Sequence, residues 1–202
     1  MLVYVMCALA CVIAYVLGGI PSAYLIGKAF GNVDIRTQGS GNVGSTNVAR
    51  TLGAKAGILT LVSDILKAVV AVLIGKLLIG VVGAGAIETT APGGVYDWCA
   101  ALVYLAVILG HMFTPFQHFH GGKGIASGFG GAVVLMPWAG LSLWGPFLIF
   151  AVSTRYVSVG SIAGALSLPI FANLFYQPSM AFTVIVCIVS VLVIWGHRSN
   201  IT

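Results

Sequence analysis

From residue 157 to residue 195 the sequence carries no charged side chain, a run about twice the length one membrane helix needs. Residues 2–27 form a second uncharged run. A chain with this much apolar sequence must satisfy its backbone internally, which points to helices crossing a bilayer. Composition agrees, with 59% hydrophobic and 6% charged residues and a mean hydropathy of +1.09. The expected fold is therefore all-α, a polytopic membrane bundle forming one domain over residues 1–202, with no room for a second. The formal charge is +5, but the few basic residues sit beside apolar runs. They speak of topology and anionic ligands, not of nucleic acid. Cys7, Cys11, Cys99 and Cys187 lie in apolar runs and read as small buried hydrophobes. The first charge is Lys28, so no cleavable signal peptide is expected.

Seven spans account for the pattern. Residues 2–27, 55–80 and 98–116 are three, and Gln177-Pro178 splits 157–195 into two. Residues 125–152 make about 42 Å of helix, long for one crossing and short for two. Pro137, Gly140, Gly145 and Pro146 interrupt them. A hairpin of two shorter spans keeps Lys123 and Arg155 on one side, as the positive-inside rule favours. Lys28, Arg36, Arg50, Lys55, Lys123, Arg155 and Arg198 then share the cytoplasmic face, and Glu88 and Asp97 the other. The N-terminus is expected outside and the C-terminus in the cytoplasm.

Residues 39–50, Gly-Ser-Gly-Asn-Val-Gly-Ser-Thr-Asn-Val-Ala-Arg, are the longest polar stretch. Gly39 and Gly41 let the backbone turn N–H groups toward one point, Ser40, Asn42, Thr46 and Asn47 add donors, and Arg50 supplies a planar fork. The stretch predicts a phosphate cradle at the membrane edge, against the alternative of a flexible loop. Its Gly-x-Gly-x-x-Gly spacing does not make a dinucleotide fingerprint, since no strand precedes it and Asp64 lies in an apolar helix. Gly121-Gly122-Lys123-Gly124, just before an apolar helix, predicts a second cradle with free N–H groups. It is not a Walker A loop, because Gly124 follows Lys123 where Ser or Thr would stand.

Asp64 and Lys67 stand three residues apart inside a span, where charges are paired or functional. Lys67 is expected to reach the polar face with Asp64 orienting it. His197, beside Arg198 and Asn200, lies where the last span ends and suits a substrate oxygen. His111, His118 and His120 lack nearby cysteine or acidic ligands, so no metal and no cofactor are expected. Nothing resembles a Gly-x-Ser-x-Gly elbow, so a covalent acyl-enzyme is not indicated.

Together these motifs resemble one family. Ser40-Gly-Asn-Val-Gly-Ser-Thr-Asn-Val-Ala-Arg50 is similar to Ser-Gly-Asn-x-Gly-Ala-Thr-Asn-x-x-Arg, and Gly121-Gly-Lys-Gly-Ile-Ala-Ser127 to Gly-Gly-Lys-Gly-Val-Ala-Thr. Arg155-Tyr-Val-Ser-Val-Gly-Ser-Ile162, His197-Arg-Ser-Asn-Ile201 and Asp64-Ile-Leu-Lys67 match further stretches. The family is the bacterial acyl-phosphate-dependent glycerol-3-phosphate acyltransferases of PlsY type. Ser45 and Ser127 are mild departures from its alanine and threonine.

The resemblance implies acyl transfer from acyl phosphate to the first hydroxyl of glycerol 3-phosphate, giving lysophosphatidic acid at the cytoplasmic face of the bacterial inner membrane. By position it implies catalytic parts for Ser40, Arg50, Lys123 and His197. Substrate contacts fall to Gly39, Gly41, Asn42, Thr46, Asn47, Lys67, Gly121, Gly122, Ser158, Ser161 and Asn200. A functional link to the enzyme that makes acyl phosphate follows. A basic polar face in a helical bundle also fits a membrane anion transporter, although the polar motifs gather at one side and not at the midplane.

Overall fold

The computed structural model describes residues 1–82 and 94–200, and the described residues are built of helices and short connections. In chain order these are α1 (Leu2–Gly18), α2 (Ser22–Gly31), α3 (Ser45–Leu52), α4 (Ala54–Leu77), α5 (Val95–Met112), α6 (Ile125–Leu135), α7 (Pro137–Ser142), α8 (Trp144–Thr154), α9 (Val157–Phe175) and α10 (Met180–Trp195). Glu88 and Ile201 lie outside the described residues.

The apolar pattern is turned outward. On α4, Ile58, Val62, Leu66, Leu73 and Leu77 are exposed, while Thr60, Asp64 and Ala68 are buried. A helix that hides its polar residues and shows its leucines is built for lipid. At the centre stands α5 with its continuation to Gln117. Its most apolar window is 67% buried, against 28% to 33% in the other three long spans. α1 reaches it through small residues, Cys7, Ala10, Ala14 and Gly18. A Cβ at Gly110 of α5 would stand 2.0 Å from the Tyr15 carbonyl oxygen, so glycine sets the approach of the two backbones.

The apolar runs read as spans contain α1, α4, α5, α6, α8, α9 and α10. Four helical stretches, 2–31, 54–82, 95–117 and 157–175, are long and apolar enough to cross a bilayer. α6 and α8 have 11 residues each, about 16 Å, or half a hydrocarbon core. The interrupted stretch 125–152 is nonetheless a hairpin. Phe129 and Trp144 have ring centroids 5.2 Å apart, where one continuous helix would separate them by about 22 Å. Pro137, at the start of α7, lacks the N–H that would continue α6.

Pro169 lies inside α9 and removes the bond to the Ala165 carbonyl. Ser190 of α10 fills the gap, its hydroxyl donating to Ala165 O at 2.5 Å. The same register joins Thr183 to Asn173. Carried down these antiparallel helices, it sets Ser158 and Ser161 level with His197 and Ile194. α8 returns to the same end and stops before Arg155. Lys123 meets Asn200 there, so the predicted sharing of one end by Lys123 and Arg155 holds. Met1 lies toward the other end, where Tyr4 packs on Trp98 and Asp97 accepts from the Ser179 amide.

Candidate active site

At the end that carries Lys123, residues 34–43 and 117–121 face each other across a cleft of about 610 Å³. Asp34, Arg36, Ser40, Asn42, Gln117, His118 and His120 contribute to its lining. A narrow inner cavity adjoins it, sharing Val43, Gln117 and Gly121 and reaching Lys67, Asp64 and His111.

Asn47 organises the first loop. It is 2% exposed, and its Oδ1 accepts from the Ser40 amide at 3.0 Å. Its Nδ2 donates to Asn42 O at 2.9 Å and Gln38 O at 3.0 Å. Gly39 has φ +57°, and a Cβ on it would stand 2.3 Å from Asn47 Oδ1. The Gly41 amide donates to Gln38 O, and the Gly44 amide to Asn42 Oδ1. The amides of Ser40, Gly41 and Gly44 and the side chain of Asn47, expected to turn toward a ligand, hold the loop's own shape. The Ser40 side chain is exposed, and Thr46 and Arg50 stand one turn apart on the exposed face of α3.

In the second expected cradle the first two amides are also engaged within the protein. The Gly121 amide donates to Met112 O at 2.9 Å and the Gly122 amide to His111 O at 3.0 Å. These bonds take up carbonyls at the C-terminal end of α5, where the helix leaves its last acceptors without partners. A Cβ at Gly122 would stand 2.2 Å from His111 Nε2. The glycine pair is a clasp, and the group it delivers is Lys123. That ammonium donates to Asn200 Oδ1, and partial burial holds it below the usual lysine range.

Lys67 is likewise drawn inward. Its ammonium donates to Asp64 at 2.8 Å and to Ile20 O at 2.8 Å. The break between α1 and α2 leaves such carbonyls open, and Thr114 Oγ1 takes Gly19 O at 2.5 Å. Lys67 therefore pins the break with two of its donors, as a buried ammonium must be paired, and it also lines the inner cavity. Ser127 and His111 complete this inner group: Ser127 Oγ lies 3.1 Å from His111 Nδ1 and donates to Asp64 O at 3.2 Å.

His197 is 3% exposed and its Nδ1 lies 2.8 Å from Val193 O. A carbonyl only accepts, so Nδ1 carries the proton and the neutral ring offers Nε2 as an acceptor. Burial lowers its pKa, and the nearby Lys123 charge acts in the same direction against the Val193 bond. Neutral His197 thus suits a substrate hydroxyl better than a phosphate. Ser161 turns its hydroxyl back to Val157 O, and Ser158 is half-buried at the same level. Arg36 forms a bidentate pair with Asp34 at the cleft wall, and that guanidinium lowers the Asp34 carboxyl to about 2. Thr114 and Gln117 escaped the sequence reading. Thr114-Pro115 is a turn-capping signal that would have found the first; the second has none.

The sequence model for glycerol-3-phosphate acyltransferases matches residues 8–202. A glycerol-3-phosphate acyltransferase of Endomicrobium trichonymphae is 40% identical over 94% of this chain and 87% of its own length. One from Clostridioides difficile is 39% identical with the same coverage. A crystal structure of PlsY, an integral membrane glycerol 3-phosphate acyltransferase, in its glycerol 3-phosphate form superposes with a TM-score of 0.83. It has 34% sequence identity and covers 96% of this chain and 90% of that one. The lysophosphatidic acid form of PlsY gives 0.81, at 33% identity over 96% of this chain and 89% of that one.

Proposed function

This chain belongs to the glycerol-3-phosphate acyltransferase family, PlsY type, and from that premise we propose that it moves a fatty acyl group from acyl phosphate to the C1 hydroxyl of glycerol 3-phosphate. Like its relatives it is a multi-pass membrane protein of apolar helices. The products are lysophosphatidic acid and phosphate. The chain acts as one domain in the bacterial inner membrane, with seven helical segments, an outer N-terminus, a cytoplasmic C-terminus and the cleft on the cytoplasmic face. Its donor comes from a separate enzyme that makes acyl phosphate.

The observation that carries this reading is the gathering at one end of the molecule of the cleft lined by the Ser40 loop, the Lys123–Asn200 pair and His197, without an unpaired carboxylate among the described residues. Asp34 is held by Arg36 and Asp64 by Lys67. Two substrates, each bearing a phosphate, suit a face with cations and hydroxyls. Acyl phosphate is already activated, so catalysis needs position and charge stabilisation more than a nucleophile. The C1 hydroxyl attacks the acyl carbon, the carbon–oxygen bond to phosphate breaks, and the hydroxyl proton leaves with the phosphate. Lys123, oriented by Asn200, and Ser40 hold the donor phosphate and the developing oxyanion. Arg50 and Thr46 hold the acceptor phosphate, and His197 Nε2 takes the C1 hydroxyl proton and passes it to the departing phosphate, while Ser158 and Ser161 border that end.

Purified protein in vesicles, given palmitoyl phosphate and labelled glycerol 3-phosphate, should release lysophosphatidic acid and phosphate in equal amounts. Product from acyl thioesters alone would refute the donor. Labelled glycerol 3-phosphate trapped inside vesicles without product would favour an anion transporter. A stable acylated residue on the protein would refute direct attack.

A further inference from the structure

Gln117 is a buried polar side chain that neither the fold nor the proposed chemistry uses. It is 4% exposed, and neither its Nε2 nor its Oε1 has a hydrogen-bond partner. Buried carboxamides are almost always paired, because an unmet donor or acceptor costs stability. This one ends a rigid turn. Pro115–Gln117 is a 3-10 turn capped by Thr114, whose hydroxyl accepts from the Phe116 amide and donates to Gly19 O. The Gln117 backbone is tied on both sides, its N–H to Thr114 O and its carbonyl to the His120 amide. The side chain stands where the large cleft meets the inner cavity, which it lines together with Val43 and Gly121.

The chemistry of the missing partner follows from the carboxamide. It needs a group that accepts from Nε2 and donates to Oε1. A phosphate dianion accepts only, and would set its oxygens against Oε1. A hydroxyl does both. Of the two hydroxyls of glycerol 3-phosphate, that on C1 loses its proton in the reaction, and a carboxamide is no base. The C2 hydroxyl keeps its proton. We propose that Gln117 is a specificity-determining residue that binds the C2 hydroxyl of glycerol 3-phosphate from the shared wall of the two cavities. The inference rests on the acceptor reading above and adds to it the group that reads the glycerol.

The test compares glycerol 3-phosphate with 3-hydroxypropyl phosphate, which lacks only the C2 hydroxyl, in wild type and in Gln117→Leu. Wild type should favour glycerol 3-phosphate by about 10- to 100-fold in kcat/KM, since the analogue leaves the carboxamide unpaired. In Gln117→Leu the ratio should fall to about one, through loss on glycerol 3-phosphate with the analogue unchanged or improved. The substrate-free variant should melt at the wild-type temperature or above it, because no internal partner is lost. A wild-type ratio near one overturns the inference without any variant. So does a Gln117→Leu enzyme that keeps the wild-type ratio, or one whose substrate-free form melts several degrees lower. Thermal stabilisation by each ligand reads the same discrimination without turnover. A protein stabilised selectively by glycerol 3-phosphate, yet unable to acylate it, would refute the proposed reaction and leave the Gln117 site standing.

Discussion

Two glycine-rich loops flank the cleft, and both read in the sequence as phosphate cradles, yet each spends its amides differently. In residues 39–47 they stay within the loop, the Ser40 amide on Asn47, the Gly41 amide on Gln38 O and the Gly44 amide on Asn42. In residues 121–124 they turn outward to the last carbonyls of the central helix. The first loop is thus a local structure that leaves Ser40, Thr46 and Arg50 facing out. The second is a tertiary clasp that fixes one cation, Lys123, against Asn200. Glycines in such loops do not mark ligand contacts by themselves. They mark where the backbone passes too close to something for a Cβ, and the ligand groups are their neighbours.

The comparison breaks most easily at Lys123. If the clasp exists to deliver that ammonium, Lys123→Ala should lower kcat/KM by about 10³-fold, as loss of a preorganised donor does, with the thermal midpoint unchanged. The pH profile sharpens the point. Burial lowers the Lys123 pKa from its ordinary 10.5. Activity that needs the ammonium is full below the lowered value and declines as pH rises through it, before an exposed lysine would titrate. Lys123→Arg should remove that alkaline limb, because guanidinium stays charged. An unchanged limb would assign it elsewhere.

Gly122→Ala attacks the clasp itself. Its methyl would meet the His111 ring, so the loop must shift. Overpacking of this kind costs about 1–3 kcal/mol, and the displaced Lys123 should lower activity by about 10²-fold. The midpoint should fall with it. Asn47→Ala should cost less stability: the first loop loosens, but the Gln38 carbonyl and Ser40 amide that it frees belong to exposed residues. We expect a 10- to 30-fold loss in kcat/KM with the melting temperature nearly intact. Equal destabilisation in both variants, measured by scanning calorimetry in detergent, would erase the distinction between local and tertiary loops.

The sequence carried the helical segments, the hairpin at 125–152 and the gathering of Lys123, Arg155, Ser158 and His197 at one end. Those follow from apolar runs, their breakers and charge placement, which are one-dimensional signals. It did not carry the pairing of donors with acceptors. The Lys67 pairing was hidden because its partner, the Ile20 carbonyl, is freed only when Pro21 breaks the first helix. The internal bonds of Asn47 and Gly121 were hidden for the same reason: the acceptors are backbone atoms that no residue letter records. Gln117 was silent because one glutamine between Phe116 and His118 has no periodicity, and its burial arises where separate segments meet. The short arms α6 and α8 fit the two shorter spans expected there, but an apolar stretch states its composition and not where each arm stops being helix.

Arg36 gives the smallest expected effect and the cleanest control. Like Arg50 it lies near the first loop and could be taken for a phosphate fork. Its Nε–Nη2 edge is engaged, however, by Asp34 in a bidentate pair, and the Tyr24 ring centroid lies 5.3 Å from the guanidinium. Exposed pairs contribute little, so Arg36→Ala should change kcat/KM by less than about threefold, where Arg50→Ala should cost far more. The pair is also silent to pH. Asp34 has its carboxyl lowered from 3.8 to about 2. Its contribution is therefore complete above 3.8 and is lost only as pH falls through about 2. Profiles of wild type and Arg36→Ala should run parallel from pH 5 to 9. A large Arg36 effect at neutral pH would mean that substrate displaces Asp34, and that the first loop meets its ligand by rearranging and not as a preset surface.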